Sequence, residues 1–107
     1  MKKNPETLIQ NSVRDFMRWN GWYVIRNQQG LGSHKGMADL TVIKNGVTVW
    51  IEIKTKTGQL SEHQLKFRRD IINAGGNFEV ARSPEDADRI NQKYGGGKSV
   101  MSLLAEV

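Results

Sequence analysis

The 107-residue sequence predicts a single α/β domain whose elements run helix, strand, hairpin, helix, strand, helix. Three observations lead there. Asn45-Gly46 separates two β-branched runs, the strongest short-range signal for a two-residue type I′ hairpin. Asn4-Pro5, Ser61 and Ser83-Pro84 each place a capping residue ahead of a helical pattern. The length allows one core under about four strands and three helices, with no internal repeat and no second domain.

The first helix opens at Asn4, with Pro5 at the first helical position where a missing N–H costs nothing, and Gly21 ends it. Ile9, Val13, Phe16 and Met17 form its apolar stripe. At about 100° per residue, Glu6 projects into the middle of that stripe. A buried acid is costly unless paired or ligated, whereas an acid in a first turn also complements the helix dipole. The residues alone leave both readings open.

Trp22 to Arg26 reads as the first strand. The polar stretch from Asn27 to Gly36, with three glycines, then delivers the chain to Asp39. A plain connection is the simpler reading and a phosphate cradle using Lys35 the sharper one; the spacing matches neither a P-loop nor a dinucleotide fingerprint. In the hairpin, Ala38 to Lys44 and Val47 to Lys54, alternation puts Leu40, Val42, Val49, Ile51 and Ile53 on one face. Asp39, Thr41, Thr48, Trp50, Glu52 and Lys54 fall on the other. The register that pairs Lys44 with Val47 also sets Asp39 opposite Glu52, their Cβ atoms roughly 5 Å apart. A β-bulge between them would shift that pairing.

After a turn over Thr55 to Gln59, Ser61 opens a second helix that runs to about Ala74. Ser61 and Gln64 make a capping box, and Leu60 and Leu65 are placed for a hydrophobic staple. Gly75-Gly76 stops the helix and Asn77 to Ala81 reads as a fourth strand. Ser83 caps a third helix ending near Tyr94, and a triple glycine leads to a short apolar tail, residues 98–107, beyond a core at 5–94. Trp50 reads as packing, and His34 and His63 as solvated side chains.

The chain has no cysteine, which excludes disulfides and thiolate ligands and fits a reducing compartment. No apolar run approaches the ~20 residues of a membrane span, and the start lacks a signal-peptide core. A soluble cytoplasmic protein is expected. The net charge of +5 and pI near 9.8 favour a polyanionic partner. The basic residues are scattered along the sequence; Lys35, Lys56 and Arg68 are the candidates for nucleic-acid contact.

Two facing carboxylates repel unless a cation lies between them. A hard ion such as Mg²⁺ takes one or two carboxylates, waters and substrate phosphate. Asp39 and Glu52 can supply the carboxylates and the Ile53 carbonyl a third oxygen, while Lys54 can position a water or neutralise a phosphate. An exposed charge cluster is the plain alternative on these residues alone.

The spacing Asp39…Glu52-Ile53-Lys54 resembles the PD-(D/E)XK nuclease signature. Gly36-Met37-Ala38-Asp39-Leu40, Ile51-Glu52-Ile53-Lys54-Thr55 and Gly58-Gln59-Leu60-Ser61-Glu62-His63-Gln64-Leu65-Lys66-Phe67 resemble the virus-type replication-repair nuclease (VRR-NUC) domain. The match extends to Ala74-Gly75-Gly76 and covers roughly residues 5–82. The resemblance implies a PD-(D/E)XK core of αβββαβ order, a mixed sheet flanked by helices. It implies a metal-dependent endonuclease using Mg²⁺ or Mn²⁺, bound by Asp39 and Glu52 with Glu6 completing the site, and Lys54 as catalytic lysine. Gln64 matches the family's motif glutamine near the active centre, although a helix cap explains it as well. Ala38 stands where the family often has proline, a backbone difference rather than a chemical one. Small stand-alone members resemble Holliday-junction resolvases, which implies branched DNA as substrate, a DNA-repair role in a bacterial or phage-infected cell, and a homodimer. Trp19, Leu103 and Leu104 are candidate interface residues. A nucleic-acid-binding module that kept the fold without the chemistry is the alternative, and an interaction protein with a fortuitous motif is a third reading.

Overall fold

The computed structural model describes residues 4–95; the tail at 98–107, with Leu103 and Leu104, lies outside them. Helix α1 (Pro5–Trp19) begins where Asn4 Oδ1 accepts from the Glu6 N–H at 2.8 Å. Strand β1 (Tyr23–Arg26) follows Gly21, which takes the positive φ of 87° that ends the helix. Strands β2 (Leu40–Lys44) and β3 (Val47–Ile53) form the hairpin, helix α2 (Glu62–Asn73) crosses over, and β4 (Asn77–Ala81) and α3 (Pro84–Gly95) complete the domain. The expected order is the observed one.

The four strands lie in sequence order, antiparallel across β1–β2 and β2–β3 and parallel across β3–β4. The sheet is therefore mixed, with α2 supplying the crossover that a parallel pair requires. Asn45 and Gly46 take φ of 51° and 81°, the left-handed pair a type I′ turn needs. Lys44 pairs with Val47 and the ladder runs without a bulge to Leu40 opposite Ile51.

Two cores form, one on each face. Val13 and Met17 of α1 and Ala87 and Ile90 of α3 bury Leu40, Val42, Val49, Ile51 and Ile53. Trp22, placed in the first strand by its sequence, precedes it; the side chain is buried in this core and its Nε1 donates to Asn91 Oδ1 of α3 at 2.9 Å. On the opposite face α2 covers a smaller cluster around Ala38, Phe67 and Phe78, with Trp50 packed against it. Phe67 meets Trp50 and Phe78 edge-on at centroid distances of 5.4 and 6.2 Å. Trp50 is thus a packing residue, as expected. The staple is looser than its sequence suggests: Leu60 packs into this second cluster while Leu65 stays 45% exposed.

Gly36 fixes the approach to Asp39. Its φ is 73°, and a Cβ there would overlap the His63 carbonyl and lie 2.8 Å from Gln64 N. The loop before β2 rests backbone-to-backbone on the first turn of α2. Gly36→Ala is expected to cost about 2–3 kcal/mol through overlap and strain together, lowering the thermal midpoint by roughly 10 °C or more. Gly32, also at positive φ (86°) but where an added Cβ would meet nothing within 4 Å among the described residues, supplies the comparison. Gly32→Ala is expected to lose only the strain, about 1 kcal/mol; equal losses at both positions would show that the contact is not close.

Candidate metal centre

The ends of β2 and β3 converge beside α2. Glu52 points from β3 to the α2 face and is 3% exposed. Its Oε1 accepts from Gln64 Nε2 at 3.0 Å. Its Oε2 is buried with no hydrogen-bond donor among the described residues. Burial first, then a hydrogen bond to Asp39 and repulsion from it, push the Glu52 carboxyl up to about 9; Lys54 opposes this and Glu6 adds to it. Two carboxyl groups this close, one of them with a buried oxygen that has no protein donor among the described residues, favour a shared proton or a cation.

Asp39 reaches this position by a route its sequence does not reveal. The chain leaves β2 one residue early, so Asp39 lies beyond the last ladder pair instead of in a cross-strand pair with Glu52. Its Oδ2 accepts from the Ile53 N–H at 2.8 Å, and its carbonyl accepts from the Asn27 N–H at 2.9 Å. A side chain thus replaces the missing rung and holds Asp39 at the end of β3, next to the residue that carries the second acid. A strand residue turns its N–H and C=O to the same side, so the Ile53 carbonyl also faces Asp39. The oxygens available to a hard cation are Asp39 Oδ1, Glu52 Oε2 and this carbonyl, a donor set suited to Mg²⁺ or Mn²⁺.

Gln64 has two contacts, not a choice between two roles. Its Oε1 accepts from the Ser61 N–H at 2.9 Å while its Nε2 holds Glu52. The Ser61 hydroxyl completes the capping box by accepting from Gln64 N at 3.2 Å. Capping α2 therefore aims the amide at the acid.

Glu6 departs from its expected placement in the buried stripe. It is exposed, because the first turn of α1 overhangs the end of the core where Val13 and Met17 are enclosed. Glu6 is near enough to raise the Glu52 pKa, yet no three His, Asp or Glu side chains cluster as a ready ion cage among the described residues.

Lys54 follows β3 directly, its N–H donating to the Ala81 carbonyl at 3.1 Å. The loop behind it is held by Arg82, a residue that carries no local motif. Arg82 Nη1 donates to the carbonyls of Thr55 and Gly58, each at 2.7 Å. Gly58 packs against the Lys54 stem: a Cβ there would lie 3.4 Å from Lys54 Cδ. Asn27 was equally hidden in a polar loop. Its Nδ2 donates to the Ala38 carbonyl at 3.0 Å and to the buried Thr41 Oγ1 at 2.9 Å, bracing the residue before Asp39. The only sequence signal for either is a polar residue directly after a strand.

The three candidate nucleic-acid contacts do not form one patch. Lys35 lines a groove with His63 and Lys66, whereas Arg68 lines another with Leu65 and Ile72 on the opposite side of α2. Lys56 is exposed in the loop that Arg82 holds. His34 and His63 are exposed, as expected, with His34 edge-on to Phe67 at 5.6 Å.

A mixed sheet with the order α1β1β2β3α2β4 and an Asp, Glu and Lys at the convergent strand ends defines a PD-(D/E)XK-like fold. The chain is similar to a solved structure described as a VRR_NUC domain, with a TM-score of 0.75 and 23% identity over 86% of this chain and 99% of that one. It shares the fold of that domain. No protein-family profile matches the sequence, and no curated protein matches it.

Proposed function

We propose that this chain is a divalent-metal-dependent DNA endonuclease that hydrolyses phosphodiester bonds in branched or junction DNA. The observation that carries the proposal is the buried Glu52 Oε2, which has no donor among the described residues, on a carboxyl that Asp39 approaches closely enough to raise its pKa. A binding module has no use for two acids beside a phosphate path, whereas a metal centre requires them. The fold likeness to a VRR_NUC domain and the basic charge agree with it.

Asp39, Glu52 and the Ile53 carbonyl would hold Mg²⁺ or Mn²⁺, with Glu6 acting from the rim. When bound, the ion supplies Lewis acidity to the phosphoryl oxygen and lowers the pKa of water. Gln64 keeps Glu52 in the orientation that leaves Oε2 open. Lys54, projecting from the clamped end of β3, orients the attacking water and offsets negative charge gathering on the phosphate. Symmetric cutting of a junction needs two sites related by a two-fold axis, so the same reading makes the protein a homodimer. Trp19 (82% exposed) at the end of α1 and Tyr23 (68% exposed) on the edge strand β1 offer it an apolar surface.

The test incubates the protein with four-way junction, flap, nicked and linear duplex DNA, in Mg²⁺, in Mn²⁺ and in chelator. Cleavage of branched DNA in either metal and none in chelator is expected. Cutting that survives chelation, or binding with no cutting of any substrate, would overturn the proposal; the second result favours the non-catalytic module.

A further inference from the structure

Asp39 also lines one wall of a polar groove of about 570 Å³, whose other walls are Gln10, Arg26, Asn27, Gln28 and Gln29. The volume is that of a ligand site, roughly 300–1,000 Å³. Four of its six lining residues are amides, an unusual surface for plain solvation because each amide offers both a donor and an acceptor.

Two of the four amides are committed to the fold. Asn27 donates to Ala38 and Thr41, and Gln29 Nε2 donates to the Met37 carbonyl at 2.9 Å. These bonds stiffen the floor. Gln10, on α1 one turn beyond Glu6, and Arg26 and Gln28, at the exit of β1, have no partner among the described residues. A positively charged fork and two free amides therefore converge on a groove that opens onto one of the two acids.

The chemistry of that lining matches one nucleotide unit. A guanidinium binds a phosphate through two parallel bonds, and Gln side chains pair with the donor–acceptor edges of bases and with sugar oxygens. We propose that this groove holds the nucleotide adjoining the scissile phosphate, Arg26 taking that nucleotide's phosphate and Gln10 and Gln28 its base and sugar edges. The assignment rests on the nuclease reading for its substrate. It places the strand on the α1 side of Asp39, away from Lys35 and Arg68.

Fluorescence anisotropy with a labelled four-way junction in chelator tests it without any cleavage. Gln10→Ala and Gln28→Ala are each expected to weaken binding about three- to tenfold, with the salt dependence unchanged. Arg26→Ala is expected to weaken binding and to reduce the slope of log affinity against log salt by about one. In Mn²⁺ the three variants should raise KM with kcat within about twofold of wild type. Melting curves matching wild type exclude misfolding as the cause. Affinities within twofold of wild type for all three variants would overturn the inference. So would loss in Arg26→Ala alone, which reduces the groove to undirected charge. If wild type cuts nothing in any metal yet the variants lose affinity as described, the nuclease reading fails and the groove stands as a nucleotide-binding site only.

Discussion

Glu52→Gln is expected to stabilise the metal-free protein, by an amount that grows as pH rises. The Glu52 carboxyl is raised to about 9 from the ordinary 4.5 by burial and by Asp39. Between those values the folded chain holds a proton that the unfolded chain has lost. Stability therefore falls as pH increases through this window and levels off above the folded pKa, by up to about 1.4 kcal/mol per pH unit for one group. The melting temperature of wild type should fall by up to roughly 5–10 °C per unit relative to Glu52→Gln between neutral pH and pH 9. The amide keeps the Gln64 bond through its oxygen and presents N–H to Asp39, so it fits where the ionised acid does not.

Metal reverses the ranking. Bound cations require the carboxylate, so affinity should rise with pH below 9, and Mn²⁺ should raise the melting temperature of wild type at pH 8 but not that of Glu52→Gln. The experiment is a thermal melt of both proteins from pH 6 to 9, with and without Mn²⁺. A variant less stable than wild type at pH 8 without metal would refute the electrostatic account. Equal stabilisation of both by Mn²⁺ would place the ion elsewhere.

Lys54→Ala is expected to reduce cleavage by about 10²–10³-fold, the loss typical of one preorganised electrostatic group at a transition state. DNA affinity in chelator should change by no more than a few-fold, because one cation among sixteen Lys and Arg side chains contributes one phosphate contact at most. Lys54→Arg should not restore the rate: the guanidinium is longer and planar, and its stem must pass Gly58. Single-turnover cleavage and anisotropy measured on the same preparations separate the two effects. Parallel loss of binding and cutting would make Lys54 a substrate contact and leave the water unassigned.

Much of this architecture was legible because its determinants are local. A left-handed dipeptide set the hairpin register, and capping residues set the starts of all three helices. The candidate centre was only partly legible. Asp39 and Glu52 do meet, but through an Asp39 side chain bonded to the Ile53 N–H beyond the end of the ladder, a substitution that alternation cannot express. Glu6 was misplaced because helical spacing gives the direction of a side chain around the axis and says nothing about where the core stops along it. Arg82 and Asn27 hold backbone carbonyls and a hydroxyl elsewhere in the chain, contacts that no short pattern records. Gln64 was visible as a cap; its reach to Glu52 is tertiary.

The two loops flanking the acids have opposite tolerances to added sequence. The segment around Leu31 stands clear of the domain, with Leu31 fully exposed and room around Gly30 and Gly32, where an added Cβ would meet nothing within 4 Å among the described residues. Residues spliced there would extend outward beside the proposed nucleotide groove and leave Gly36 seated on α2. An extra residue between Thr55 and Gly58 would pull two carbonyls off one guanidinium and release the base of Lys54. Variation in length, and with it new reach along the proposed substrate, has room to accumulate before Asp39 but not after Lys54.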